Sequence, residues 1–254
     1  SLRSKGVHAK LEQTLFVERF VEGVSLSIDA HVVQADDAAL QENRIERRVA
    51  GEPGARTLAS SGRIDPGART VIVDPTTCEA CPPDTVGEIW LGGDSVTQGY
   101  WEKPEDTRRV FEARIVGRED EGPYLRTGDL GFLEDDYLYV TGRHRDLIIV
   151  RGRNYYPQDI ELASETSHPL ARPGAVAAFA LDVDGAERVA LVQEVKVTPE
   201  LDVAEVFGNI RQAVAEEHGI ELCAISLIQR GTVLRTTSGK IQRRASRTSF
   251  LEGR

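Results

Sequence analysis

Residues 124–161 read YLRTGDLGFLEDDYLYVTGRHRDLIIVRGRNYYPQDIE, and this stretch decides how the rest of the chain is read. One acidic residue lies in a glycine-bounded turn, Gly128-Asp129-Leu130-Gly131. A basic turn follows, Gly142-Arg143-His144-Arg145-Asp146, and then the apolar run Leu147-Ile148-Ile149-Val150. Next come a glycine-rich loop, Gly152-Arg153-Asn154, and a helix start at Pro157-Gln158-Asp159-Ile160-Glu161, with proline where a first helical turn needs no N–H. A carboxylate on one turn, paired charges on the next and a flexible loop beyond them predict a nucleotide site against a hinge. The domain boundary is placed in the turn around Arg145.

Outward from this stretch the pattern is mixed. Thr14–Val17 and Val24–Ile28 have strand-like composition, and Asp37–Leu40 reads as a short helix in a polar segment. Thr70–Val73 is a β-branched strand ended by Asp74-Pro75. Val86–Leu91 alternates like a half-buried strand and stops at Gly92-Gly93. Tyr137–Val140 and Leu147–Val150 read as strands around the basic turn. Beyond Pro157, Ala175–Val183 and Arg188–Val197 predict an antiparallel pair turning at Asp184-Gly185. Val203, Val206, Phe207, Ile210 and Val214 form a helical stripe closed by Gly219, and Cys223–Ile228 is a final strand. No repeat or low-complexity tract interrupts the chain.

A length of 254 residues suits one large domain or two smaller ones, and 40% hydrophobic with 28% charged residues is the composition of an ordinary globular protein. A net charge of -10 argues against a nucleic-acid partner, because phosphate contacts need clustered Lys and Arg. No apolar run reaches the ~20 residues of a membrane span, and Ser1-Leu2-Arg3-Ser4-Lys5 lacks the apolar core of a signal peptide. Three cysteines, Cys78, Cys81 and Cys223, make no disulfide framework. A cytoplasmic protein is the simplest reading. The absence of methionine, even at position 1, is expected of a piece of a longer chain.

Near the C-terminus, Leu234-Arg235-Thr236-Thr237-Ser238-Gly239-Lys240-Ile241-Gln242-Arg243 sets one lysine after small and hydroxyl residues, ahead of a basic helix. Small residues let backbone lie close to a phosphate, and lysine supplies a mobile point charge. It is not a Walker A loop, since the upstream glycine is missing and Ile241 follows the lysine. Alone, its plainer reading is a solvated loop lysine.

Taken together, Arg126-Thr127-Gly128-Asp129-Leu130-Gly131, Gly142–Asp146, Gly152–Glu161 and Ser238–Arg243 resemble the adenylate-forming superfamily. That superfamily comprises acyl-CoA synthetases, peptide-synthetase adenylation domains and luciferases. The resemblance is closest to the fatty acyl-AMP ligases. Gly87–Trp90, Gln98–Trp101 and Arg243-Arg244-Ala245 fit as well, so the likeness covers roughly residues 60–254.

The resemblance implies an α/β (α+β) chain in two parts. Residues 1–144 would be the distal, β-rich part of the N-terminal adenylate-forming domain, and residues 145–254 a small mixed C-terminal lid domain. The implied activity uses ATP and Mg²⁺ to turn a fatty acid into acyl-AMP with release of pyrophosphate. The acyl group then passes to the phosphopantetheine thiol of an acyl carrier protein. Lys240 would be catalytic, Asp129 and Arg143 would bind the ribose, and Arg145 would be the hinge, where the family commonly has Asp or Lys. Gly152, Arg153 and Asn154 would form the lid loop. Glu12, in Leu11-Glu12-Gln13-Thr14-Leu15, would bind nucleotide and metal. However, His8-Ala9-Lys10 stands where the family has an aromatic residue and a glycine.

Two features point to the acyl-AMP branch: the Gly152–Glu161 loop, with Gln158-Asp159, and the 50-residue stretch from Glu12 to Gly62, where CoA-forming relatives have a much shorter connection. The phosphate loop and most of the acyl tunnel lie upstream in this family, so the segment alone is expected to be inactive. The alternatives are an acyl-CoA ligase, an amino-acid adenylation domain, or a degenerate, non-catalytic module that binds lipid or adenylate. For Asp129 the plain reading is a turn-stabilising side chain, and for His144 a solvated turn residue. Cys78-Glu79-Ala80-Cys81 has metal or redox spacing, but with one pair and no nearby histidine it reads as a loop with two incidental cysteines.

Overall fold

The structure is a computed structural model that describes residues 14–21, 24–65, 67–199 and 201–253, with side chains from His31 onward. It divides into two compact units, Ser1–His144 and Arg145–Arg254. Both mix sheet and helix, an α/β arrangement in which strands dominate the first unit. No helix among the described residues is long and apolar enough to cross a membrane.

In the first unit, β1 (Thr14–Val21) and β2 (Val24–Asp36) pair antiparallel. β2 runs directly into the helix α1 (Asp37–Leu40), because the Asp36 carboxylate accepts the Ala39 N–H at 2.8 Å and so caps the first turn. β3 (Ala55–Ala59) completes this three-stranded sheet on the other side of β2. A five-stranded antiparallel sheet follows, built from β4 (Gly62–Arg63), β5 (Arg69–Val73) and β6 (Gly87–Gly92). After the helix α2 (Pro104–Phe111) it takes in β7 (Leu125–Glu134) and β8 (Tyr137–Arg143). The strand order is β4-β8-β7-β6-β5. Its core includes Val73, Trp90, Ile115 and Tyr124, each worth roughly 1.5–3 kcal/mol if a typical large apolar side chain.

Two sequence expectations change here. β6 is not half-buried: Gly87, Glu88, Ile89 and Trp90 are all buried, because the strand is internal to the sheet and its one charge is paired. Gly128-Asp129-Leu130-Gly131 is not a turn but the middle of β7. The glycines mark irregular pairing instead. Register slips between Leu130 and Gly131 of β7 against β8, and between Glu88 and Trp90 of β6 against β7. Gly128 has φ 72°, and a Cβ at Gly131 would lie 2.2 Å from the Tyr139 carbonyl oxygen. Glycine is required there by a close backbone approach.

A 3-10 turn (His144–Asp146) leads into the second unit. β9 (Ile148–Val150) and β10 (Arg153–Tyr155) form a hairpin turning at Arg151 (φ 52°) and Gly152 (φ 77°). The expected loop Gly152-Arg153-Asn154 is therefore shorter than read, with Arg153 and Asn154 already in a strand. Two consecutive positive φ angles make the tight two-residue hairpin turn, which leaves no room for a longer loop.

α3 (Pro157–Thr166) starts at its proline, as the sequence suggests. β11 (Ala171–Val183) and β12 (Ala186–Val195) are antiparallel around Asp184 and Gly185, with φ 55° and 74°. α4 (Val203–His218) is capped by Asp202, whose carboxylate accepts from Ala204 N and Glu205 N, and is ended by left-handed Gly219. β13 (Leu222–Ile228) runs parallel to β12, a pairing that needs a crossover, and α4 is that crossover. α5 (Arg243–Leu251) ends the unit.

One core joins Ile148, Tyr155, Ile160, Leu191, Val206, Ile210 and Val214. A second, on Phe179, Leu181, Ala190 and Val192, receives Phe250 of α5. Burial on both faces explains why β11 reads as a continuous apolar run. Val203, counted in the helical stripe, is 46% exposed because it is the first residue of α4, ahead of the packed turns.

Candidate functional site

The first group of candidates rests on Glu88. Its carboxylate is buried and receives four N–H donors: Trp90 Nε1 at 2.9 Å, Arg126 Nε at 2.9 Å and Nη2 at 2.6 Å, and the Gly128 backbone at 3.1 Å. The Arg126 guanidinium also stacks over the Trp90 ring, 5.3 Å from its centroid. Glu88 thus fixes the irregular segment of β7 one residue ahead of Asp129. Thr127 adds a second tether, donating through Oγ1 to the Ile89 carbonyl at 2.7 Å and accepting from Asp129 N at 3.1 Å.

Held this way, Asp129 lies directly opposite Arg143 in the β7–β8 register. Asp129 Oδ1 is 2.9 Å from Arg143 Nε, and the two side chains are 34% and 49% exposed. The pair therefore offers solvent an acceptor and a planar donor side by side at the C-terminal end of β8, a geometry suited to a vicinal diol or a phosphate. Asp129 is not acting as the turn-stabilising residue of the plain reading, since its carboxylate faces a charge on the neighbouring strand.

The remaining candidates belong to the second unit. Arg145 is exposed, with Nε 3.7 Å from Asp146 Oδ1. Asp146 also lies 3.6 Å from Arg243 Nη1. Arg243 makes a bidentate pair with the buried Glu161 carboxylate, Nε–Oε1 at 2.6 Å and Nη2–Oε2 at 2.7 Å. That bond raises the Arg243 pKa despite partial burial, so the guanidinium is charged throughout. Lys240 is exposed in the turn between Leu234 and Gln242, three residues before α5 begins. The turn is closed by Thr236 N to the Lys240 carbonyl at 2.8 Å and Gly239 N to the Thr236 carbonyl at 2.9 Å.

Glu12 and His8-Ala9-Lys10 lie outside the described residues. Among the described residues no three His, Cys, Asp or Glu side chains are grouped to hold a metal, Cys78 and Cys81 included. Both cysteines are free thiols; burial, with Asp74 nearby, pushes the Cys81 thiol up to about 11, away from the range of a reactive thiolate. His144 is exposed in the 3-10 turn.

The sequence reading missed Glu88 and Glu194 as the carboxylates that organise each unit. Glu194 is buried, with Oε2 2.6 Å from Arg172 Nη1 and Oε1 accepting from Val233 N at 2.9 Å. Burial alone would raise its pKa, but hydrogen bonds from Gly231, Val233 and Arg172 outweigh that and lower it. A signal was present in both cases: an acid inside an apolar strand, Gly87-Glu88-Ile89-Trp90 and Leu191-Val192-Gln193-Glu194-Val195. A charge in such a place must be paired.

Comparison with known proteins follows the same division. Residues 42–101 match the family model described as AMP-binding enzyme, and residues 145–254 match the Disco-interacting protein 2-like AMP domain. The medium-chain-fatty-acid–[acyl-carrier-protein] ligase JamA of Moorena producens is 46% identical over 228 residues, covering 88% of this chain and 38% of JamA. The putative fatty-acid–CoA ligase fadD21 of Mycobacterium leprae is 40% identical over 223 residues, covering 84% of this chain and 37% of that protein. Among solved structures, one from a study of fatty acyl-adenylate ligases of E. coli and L. pneumophila superposes with a TM-score of 0.74 at 28% identity. It covers 88% of this chain and 38% of its own length. The chain thus spans under two fifths of the length of these relatives.

Proposed function

This chain belongs to the adenylate-forming superfamily of AMP-binding enzymes, and from that premise we propose that its protein activates a fatty acid as acyl-AMP. The acyl group is then handed to the phosphopantetheine thiol of an acyl carrier protein. The observation that carries this reading is the 46% identity to a fatty-acid–[acyl-carrier-protein] ligase over 88% of the chain.

In this reading the fatty-acid carboxylate attacks the α-phosphorus of ATP, the new O–P bond forms, and pyrophosphate leaves. Two anions must be brought into contact, and a cation reaching both offsets their repulsion by ~4 kcal/mol per close pair at an effective dielectric of 20. Lys240 is that cation, and its exposed position on a hydrogen-bonded turn supports the role. Asp129 accepts from the ribose hydroxyls and Arg143 donates beside it, which the 2.9 Å pairing of the two side chains supports. The first unit, residues 1–144, is the distal part of the adenylating domain, and residues 145–254 are the lid. Arg145 is the pivot, supported by the unit boundary that falls between His144 and Arg145. Gly152, Arg153 and Asn154 form the turning end of the lid hairpin.

Mg²⁺ enters with ATP. A nucleotide-borne Mg²⁺ needs only one or two protein carboxylates beside phosphate and water. Glu12 would be one such ligand. The ion would neutralise charge on the leaving phosphates.

A second reading, transfer to CoA, is favoured by the 40% identity to fadD21, named as a fatty-acid–CoA ligase. The decisive experiment measures ATP–pyrophosphate exchange by the full-length protein with a panel of fatty acids, then assays the acyl product with CoA or with carrier protein. Acyl carrier protein as the acceptor supports the proposal, acyl-CoA supports the second reading, and no exchange with any fatty acid refutes both. Lys240→Ala is expected to abolish exchange while largely sparing transfer from supplied acyl-AMP. Equal loss of both half-reactions would sink that role for Lys240.

A further inference from the structure

Every residue from Leu234 to Lys240 is exposed, whereas Val233 just before them is buried. Packing therefore does not shape the loop that presents Lys240, and its form rests on hydrogen bonds. At its base, Val233 N is held by Glu194 at 2.9 Å and Gln242 N by the Leu234 carbonyl at 2.9 Å. At its tip, Lys240 N donates to Thr236 Oγ1 at 3.0 Å, a contact internal to the loop. One side chain, Arg235, ties the tip to the body of the lid. Arg235 Nη1 donates to the Gly239 carbonyl at 2.9 Å, and Arg235 Nη2 donates to the Gly174 carbonyl.

Gly174 lies in the irregular part of β11, between the paired residues Ala171 and Val176, and has φ 65°. Its N–H in turn donates to the Glu165 carboxylate on α3. The Arg235 backbone is fixed as well, its carbonyl accepting from Gln242 Nε2 at 2.8 Å. A continuous chain of contacts thus runs from α3 through the β11 irregularity to the residue before Lys240.

We propose that Arg235 is the positioning residue for Lys240: its guanidinium bridges two backbone carbonyls and so sets where the lysine stem leaves the lid. The inference rests on the assignment of Lys240 to adenylate formation. Arginine suits the task because its planar fork points two N–H groups at two acceptors at once, whereas lysine offers one point charge on a flexible stem. Ordering the loop in advance matters because the lysine must meet both the carboxylate and the α-phosphate within hydrogen-bond reach. Misplacement by about 1 Å costs on the order of 100-fold in rate. Arg235 itself touches no reacting atom in this scheme.

The test compares Arg235→Ala, Arg235→Lys, Lys240→Ala and the Arg235→Ala/Lys240→Ala double variant in the full-length protein, with folding checked by circular dichroism. For each, kcat and the ATP KM of pyrophosphate exchange are measured beside transfer from supplied acyl-AMP. Arg235→Ala is expected to lower the exchange kcat about 100-fold, with KM for ATP and the transfer rate within about twofold of wild type. Arg235→Lys, able to reach one carbonyl, should recover about tenfold of that loss. The double variant should match Lys240→Ala, because a positioning residue has nothing to position once the lysine is gone.

If Arg235→Ala keeps exchange within about threefold of wild type while Lys240→Ala is dead, Arg235 does not position Lys240 and the lysine assignment stands. Equal loss of exchange and transfer in Arg235→Ala would show a general structural role and overturn the proposal. Normal exchange by Lys240→Ala would instead overturn the lysine assignment, and the proposal with it. Should Arg235→Ala fail to fold, Arg235→Lys is judged alone, and an exchange kcat equal to wild type refutes the two-carbonyl bridge.

Discussion

Replacing Glu88 by alanine removes the shared acceptor of four N–H donors inside the first unit. Breaking a buried ion pair from one side costs about 3–5 kcal/mol, because the other charge is left uncompensated. The Arg126 side chain is 26% exposed and can recover some hydration, so the lower end, about 3 kcal/mol, applies. The indole N–H of Trp90, 1% exposed, has no route to water and adds about 1 kcal/mol. The expected loss is thus about 4 kcal/mol out of the roughly 5–15 kcal/mol that holds a typical domain. With a urea m-value of about 2 kcal/mol/M, the unfolding midpoint should fall by about 2 M at unchanged m.

Tryptophan fluorescence of this chain is a suitable assay. Trp90 is buried and reports on this sheet, whereas Trp101 is 88% exposed and changes little on unfolding. Glu88→Gln, isosteric but uncharged, should lose about half as much. A midpoint shift below about 0.5 M for Glu88→Ala would refute the argument, since it would mean the four donors find water or other partners at little cost.

Further tests address single contacts. Gly131→Ala should destabilise the first unit by about 3 kcal/mol in the same assay, because its Cβ would meet the Tyr139 carbonyl at 2.2 Å and only the strands themselves can move. Glu194 has a folded-state pKa held below the usual 4.5, so it stabilises the fold above the unfolded value and loses that contribution as pH falls through the folded one. Chemical unfolding of the second unit from pH 7 to pH 3 should therefore lose stability in the acid range, and Glu194→Gln should flatten that slope. With Cys81 raised to about 11 and Cys223 exposed, alkylation at pH 8 followed by mass spectrometry should modify Cys223 first and Cys81 last.

The local elements were largely legible because their signals are short-range. Pro157 marks the start of α3, Asp184-Gly185 the turn of the β11–β12 hairpin, and Gly219 the end of α4. Each depends on the conformational preference of one or two residues. The candidate residues Asp129, Arg143, Arg145 and Lys240 were proposed from ordered motifs. The glycines of Gly128–Gly131 misled, since a glycine needed for a close backbone approach looks the same in sequence as one needed for a turn. Only residues 131 and 139, brought together by the β7–β8 register, separate the two meanings.

By itself, then, the sequence determined the mixed α/β class and many of the element types after residue 69, and it nominated the residues on which the proposed chemistry rests, because periodicity, caps and turn residues act within a few positions. The tertiary structure decided which of those residues meet and what holds them. It set Arg143 against Asp129 across a strand pair, Glu88 under the irregular segment beside Asp129, and Arg235 between two carbonyls 65 residues apart. Those contacts arise from strand register and loop docking, which join positions far apart in the chain and leave no local trace in it.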